Sequence, residues 1–108
     1  VKIFWLDTKL VLDRIRERVR ILARDPRIVK VVLFGSLPEG RAVPGSDADI
    51  LIVLDQDTRS ISDRIPEFME FFSDIGIGVD VFPYTRDELD NPVAHTALSR
   101  GVVLFSRE

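Results

Sequence analysis

Three aspartates stand where an ionised carboxylate is costly. Asp47 and Asp49 lie two residues apart at the head of an apolar run, Ile50-Leu51-Ile52-Val53-Leu54, so on an extended chain they project to one face with Cα atoms roughly 6.6 Å apart. Asp80 interrupts a second apolar run, Ile77-Gly78-Val79-Asp80-Val81-Phe82. A charged group in such a place has to be solvated, paired, hydrogen-bonded or bound to a cation. Each acid taken singly reads most simply as a solvated strand end or a turn cap. Taken together, an Asp-x-Asp pair and a lone Asp in the next strand are accounted for by one divalent cation site, because hard cations take carboxylate oxygens.

Upstream of the pair, Gly35-Ser36 closes a third apolar run, Ile28-Val29-Lys30-Val31-Val32-Leu33-Phe34. Gly35 permits a sharp turn and a close backbone approach that a side chain would block. Ser36 is predicted to open a short helix, whose unpaired N–H groups and positive dipole end suit phosphate. An isolated Gly-Ser dipeptide is otherwise a plain tight turn. The connector then runs through Gly40 and Pro44-Gly45-Ser46 to Asp47.

These residues need elements to hold them. Asp7 or Thr8 is expected to cap a helix running to about Arg24, with Leu12, Ile15, Val19 and Leu22 as its buried stripe and Asp25-Pro26 as its stop. The strand from Asp47 to Leu54 is apolar on both faces in its far half, which predicts a central place in the sheet. Ile61, Ile65, Phe68, Phe72 and Ile75 repeat at helical spacing; Pro66 requires that helix to start just before it or to bend there, and Gly76 to end it. Strand, helix and strand from Asp47 to Phe82 make a right-handed crossover with parallel strands, which brings Asp80 opposite Asp47 and Asp49 on a neighbour about 4.8 Å away. An antiparallel 28–34 strand would deliver Gly35-Ser36 to the same end. Thr85-Arg86-Asp87-Glu88 has the form of a capping box, Asn91-Pro92 opens a helix through about Arg100, and Val102 to Phe105 is the last strand. The expectation is one α/β domain over residues 1–108, with a mixed sheet of about four strands flanked by helices in the approximate order α-β-α-β-α-β-α-β.

Composition narrows the function classes. At 108 residues, with 45% hydrophobic and 31% charged side chains, the chain has the make-up of a globular domain. It contains no cysteine, so a disulfide framework and a Cys-based zinc site are excluded and a reducing cytoplasm is compatible. A net charge of -3 argues against general nucleic-acid binding, which calls for a basic excess. Arg14, Arg16, Arg18, Arg20 and Arg24 read as a solvated helix face, because the aromatics that would stack bases are missing from it. The lone His95 reads as a surface helix residue. Val1-Lys2-Ile3-Phe4-Trp5-Leu6 is too short for a signal or a membrane span, and a cytoplasmic protein is expected.

The pattern Gly35-Ser36, three residues, Gly40, five residues, Ser46-Asp47-Ala48-Asp49 resembles the signature of the DNA polymerase beta-like nucleotidyltransferase superfamily. Within it the chain is similar to the small minimal nucleotidyltransferase domains, and Asp80 and the closing Gly101 to Phe105 fit as well. The resemblance implies transfer of a nucleoside monophosphate, AMP first among them, from a nucleoside triphosphate to a hydroxyl with release of pyrophosphate. It assigns Gly35 and Ser36 to the triphosphate. Asp47 and Asp49 would bind two Mg²⁺ ions when nucleotide is present, with Asp80 completing one site and helping to deprotonate the attacking hydroxyl. Leu37 and Glu39 depart from the basic residues that small members often carry; an acid at Glu39 repels a triphosphate, and Arg41 is near enough in sequence to compensate. Larger members add a helical domain. Minimal ones are commonly paired with small helical HEPN-type proteins, the HEPN protein being the toxin and the transferase its antitoxin. The implied partners are therefore ATP and a HEPN-type protein or a second copy of the chain. The alternative is a catalytically idle module that neutralises a partner by binding alone.

Overall fold

The computed structural model describes residues 8–42, 45 and 47–108. The proposed cap Asp7, the first six residues, and Val43, Pro44 and Ser46 of the connector lie outside the described residues. Four strands, β1 (Ile28–Phe34), β2 (Ala48–Leu54), β3 (Val79–Thr85) and β4 (Val102–Ser106), form a mixed sheet in the order β3-β2-β1-β4. β1 runs antiparallel to β2 and β4, and β2 runs parallel to β3, as the crossover argument requires. Helices α1 (Thr8–Leu22), α2 (Ile61–Met69) and α3 (Pro92–Arg100) complete the chain order α-β-β-α-β-α-β. Among the described residues no helix is long and apolar enough to cross a membrane.

β2 is the spine of the sheet because its side chains find apolar cover on both sides. Ile50, Ile52 and Leu54 pack in one cluster with Ile15, Val19 and Leu22 of α1 and Phe68 of α2. Leu51 and Val53 pack in the other, with Val29, Val32 and Phe34 of β1 and Ala97 of α3. Fully burying a side chain of this kind is favourable by about 1.5–3 kcal/mol, and every β2 residue from Ile50 to Leu54 is buried.

Several local expectations need correction. No helix follows Ser36. The segment is a turn in which the Arg41 N–H donates to the Ser36 carbonyl at 2.9 Å and the Gly40 N–H to the Leu37 carbonyl at 3.4 Å. Pro38 lacks an N–H, Gly40 sits at φ +72° and Leu37 is drawn into the core at 3% exposure, so too few residues remain to nucleate a helix. In α1 the stripe is Val11, Ile15, Val19 and Leu22; Leu12 flanks it, partly buried. The helix ends at Leu22, and tighter turns carry the chain to Asp25. α2 begins at Ile61, five residues before Pro66 and directly after the Ser60 cap, and keeps Pro66 in its interior. It ends at Met69, and a 3₁₀ turn covers Glu70–Phe72, so Ile75 is buried outside the helix and Gly76, at φ +100°, turns the chain later. The Asn91 cap, with Pro92 in the first turn of α3, and the Thr85–Glu88 capping box are both present. His95 is exposed on α3, with its Nε2 3.1 Å from Asp90 Oδ1.

An ion-pair lattice closes the sheet end at which β2 finishes. Arg64 of α2, with 2% of its side chain exposed, donates to Glu88 at 2.6 Å and to the carbonyls of Pro83, Asp57 and Arg59 at 2.7–3.1 Å. Arg27 and Arg59 share Glu67 at 2.6 and 2.7 Å, and each also holds a near neighbour, Asp25 or Asp57. Every fully buried polar side-chain atom among the described residues is partnered. Nothing in the apolar periodicity pointed to Arg64, whose position on α2 reads as one more charged residue.

The Arg59 guanidinium holds the Asp57 carboxyl at about 2, and Arg64, with the Thr85 N–H, does the same for Glu88. Both folded values lie below the ordinary 3.8 and 4.5, so their contribution to stability is complete above pH 4.5 and is lost as pH falls towards about 2. Thermal melts across that window should show a falling midpoint. Arg64→Met, which takes a donor from three carbonyls and from the Glu88 carboxylate, should cost about 3 kcal/mol in urea unfolding and make the acid limb shallower.

Candidate functional site

Parallel pairing of β2 with β3 sets Asp49 directly opposite Asp80, and antiparallel pairing with β1 sets Asp49 opposite Phe34. Asp49 therefore shares the α3 side of the sheet with Leu51 and Val53, and Asp80 shares it with Phe82. Asp47 immediately precedes β2. Asp47 and Asp80 are exposed and Asp49 is half-buried. Burial raises the Asp49 carboxyl above its ordinary value, and the charges of Asp80 and Asp47 push it the same way. Among the described residues no basic side chain is among the groups acting on it.

Two glycines make room for these acids. Gly35, at φ +86°, lies so close to the Asp49 carboxylate that a Cβ there would overlap Oδ2. Gly78 stands in the same relation to the Asp47 carboxylate, and its carbonyl accepts the Ala48 N–H at 2.9 Å. Gly35 was legible as a turn residue. Gly78 was missed, although a glycine inside an apolar strand run, two residues before Asp80, is the usual mark of a close approach.

The donor chemistry fits a hard divalent cation: three carboxylates, two of which raise the third, on a face open to further oxygen ligands. Among the described residues no three acidic or imidazole side chains already close on one point as a preformed cage. Further oxygens from a ligand would be needed to complete an octahedron.

The turn from Gly35 to Arg41 borders these acids through Gly35. The Arg41 N–H is bonded to the Ser36 carbonyl, while its guanidinium meets Glu39 Oε2 at 3.4 Å instead of any of the three aspartates. Glu39 Oε1 accepts from Arg100 Nη2, at the end of α3, at 2.5 Å. Leu37 is a core residue. The two departures seen in the sequence thus have separate physical causes, one in packing and one in an internal ion pair. A groove of about 700 Å³ lies elsewhere, between α1 and β4, and none of the three aspartates lines it.

A family model described as "Polymerase beta, Nucleotidyltransferase" matches residues 17–108. Among solved structures, a candidate nucleotidyltransferase from Sulfolobus solfataricus superposes with a TM-score of 0.63 at 24% identity, over 93% of this chain and 84% of that one. A toxin–antitoxin structure with AMP-PNP gives 0.52 at 16% identity, over 95% of this chain and 76% of its own. A mutant of the toxin–antitoxin MntA-HpeT gives 0.53 at 14% identity with the same coverages; its two Asp-to-Glu substitutions are two positions apart. At these identities the likeness is one of fold. No curated protein matches the chain in sequence.

Because Asp49 is charged against burial and two like charges, removing its charge should relieve the fold. Asp49→Asn is expected to raise the melting temperature at pH 7 by about 2–5 °C, the shift produced by a fraction of a kcal/mol in a domain of this size. Mn²⁺ should raise the midpoint of the native chain and leave that of Asp49→Asn nearly unmoved. Differential scanning calorimetry with and without Mn²⁺ checks both.

Proposed function

The chain belongs to the polymerase beta nucleotidyltransferase family, and from that membership we propose that it transfers a nucleoside monophosphate, with AMP the first candidate, from a nucleoside triphosphate to a hydroxyl on a partner protein. The observation that carries the reading is the trio itself. Asp49 is kept beside Asp80 and Asp47 with no basic side chain acting on it among the described residues, under a glycine turn that only a residue without a Cβ can make. A fold does not keep such repulsion for stability.

In this reading Asp47, Asp49 and Asp80 hold two Mg²⁺ ions, and Gly35, Ser36 and Arg41 receive the triphosphate. The ions would supply charge neutralisation on the phosphates and on the attacking and leaving oxygens. The acceptor oxygen attacks the α-phosphorus, the bond from that phosphorus to the bridging oxygen breaks, and pyrophosphate leaves with the electron pair. Asp80, on the exposed β3 edge, takes the hydroxyl proton. Gly35 keeps the backbone within reach of both the phosphates and Asp49.

The partner we favour is a small helical HEPN-type protein, with this chain as antitoxin in the cytoplasm; a second copy of the chain is the other acceptor candidate. The toxin–antitoxin neighbours, one of them with a nucleotide analogue, support that choice by fold. One observation favours a binding-only module instead: Arg41 is engaged by Glu39 and not directed at the acids.

Co-expression with the genomic neighbour, followed by intact-mass spectrometry of that neighbour, separates the two readings. Transfer predicts a gain of one nucleotide, reduced by at least about two orders of magnitude in rate by Asp47→Asn or Asp49→Asn with the fold retained. A gain that persists in those variants would sink the chemistry. No gain, together with no heat of ATP binding in the presence of Mg²⁺, would favour the binding-only module.

A further inference from the structure

Glu39 divides its two carboxylate oxygens between two arginines. Oε1 accepts from Arg100 Nη2 at 2.5 Å, while Oε2 stands 3.4 Å from Arg41 Nη2. Glu39 is largely covered, with 19% of its side chain exposed, whereas Arg100 and Arg41 are 63% and 61% exposed. The short contact is thus to Arg100 and the long one to Arg41. Arg100 is the last residue of α3, and the next residue, Gly101, packs against Val32 and the Leu33 carbonyl of β1. That anchors the α3 end beside the strand from which the turn departs. Arg41 is anchored separately, by its N–H on the Ser36 carbonyl.

From this geometry we infer that Arg100 is a positioning residue for the nucleotide phosphates: it takes up the charge of Glu39 and so leaves Arg41 free to exchange the carboxylate for a phosphate. The inference rests on the nucleotide-binding reading of Gly35, Ser36 and Arg41. Without Arg100, Glu39 has Arg41 as its one remaining ion-pair partner among the described residues, and its acid either retains that guanidinium or repels the incoming phosphates. Arg100 is mostly solvated, and an ion pair with such a partner adds little to stability, so its effect falls on ligand charge complementarity and not on the fold.

The pair is tested by a double-mutant cycle, with ATP and Mg²⁺ as the probe and calorimetry as the readout. Arg100→Ala should weaken ATP binding about five- to tenfold and Glu39→Gln should tighten it by a similar factor. The Arg100→Ala/Glu39→Gln double variant should bind close to Glu39→Gln, because there is no longer an acid to neutralise. Arg100→Lys, which keeps the charge, should bind within about twofold of the native chain. Where transfer is measurable, the change should appear in KM and not in kcat. The melting temperature of Arg100→Ala should stay near the native value, which separates positioning from structural support. Arg100→Ala binding ATP like the native chain, or the double variant remaining as weak as Arg100→Ala, overturns the inference alone. ATP binding absent from the native chain and from Glu39→Gln alike would overturn the nucleotide reading, and the positioning role with it.

Discussion

The repulsion among Asp47, Asp49 and Asp80 is the constraint that the rest of the structure has to withstand. Coulomb energy between like charges grows as water is excluded, and Asp49 is half-buried between two strands with Asp80 directly across from it. Side-chain rotation alone cannot relieve this, because the register of β2 against β3 fixes which residues face each other. That register is held in turn by what lies further along the same strand. Sliding β2 by one residue would exchange the side chains facing α1 with those facing α3, and both sets are buried. The apolar run from Ile50 to Leu54 thus holds the acids in place.

The two ends of the sheet treat charge in opposite ways. Where β2 finishes, Asp25, Asp57, Glu67 and Glu88 are each matched to an arginine, and the carboxyls of Asp57 and Glu88 are held far down in pKa. Where β2 begins, no basic side chain among the described residues acts on Asp49, and its carboxyl is pushed up. The far lattice is partly buried, satisfied and structural. The near cluster is open, and burial and like charges raise its Asp49 carboxyl. Departures of this kind from local electrostatic consistency are where function is expected on a stable scaffold.

How much of this the sequence disclosed depends on the range of the interaction involved. Asp47, Asp49, Asp80 and Gly35 stood out because each contradicts its immediate surroundings, and the parallel crossover from β2 to β3 follows from chain chirality, so the convergence of these residues on one sheet end was legible before any coordinates. The Asn91 and Thr85 caps were legible for the same local reason. Arg64 was not, because its partners lie 24 residues away at Glu88 and on carbonyls from separate segments, and no spacing rule encodes them. Leu37 was read as a site departure, although the core takes it; Pro38 and Gly40, which follow it, then leave the turn too short to wind. The exchange of Leu12 for Val11 in α1 is one position of helical phase, which an apolar stripe leaves open when both neighbours are apolar.

Glu39 illustrates a limit of reading a motif position by position. A charge inside a binding loop has no sign of effect until its partners are known, and the partner here comes from 61 residues downstream, at the end of α3. An acid beside a phosphate site is unfavourable when bare. When its charge is already committed to Arg100, as in the proposed reading, the same acid holds Arg41 only by the longer contact of 3.4 Å. In the proposed reading, the charge that a triphosphate would meet is therefore the sum over Glu39, Arg41 and Arg100. That sum is +1, where Glu39 and Arg41 taken alone would cancel.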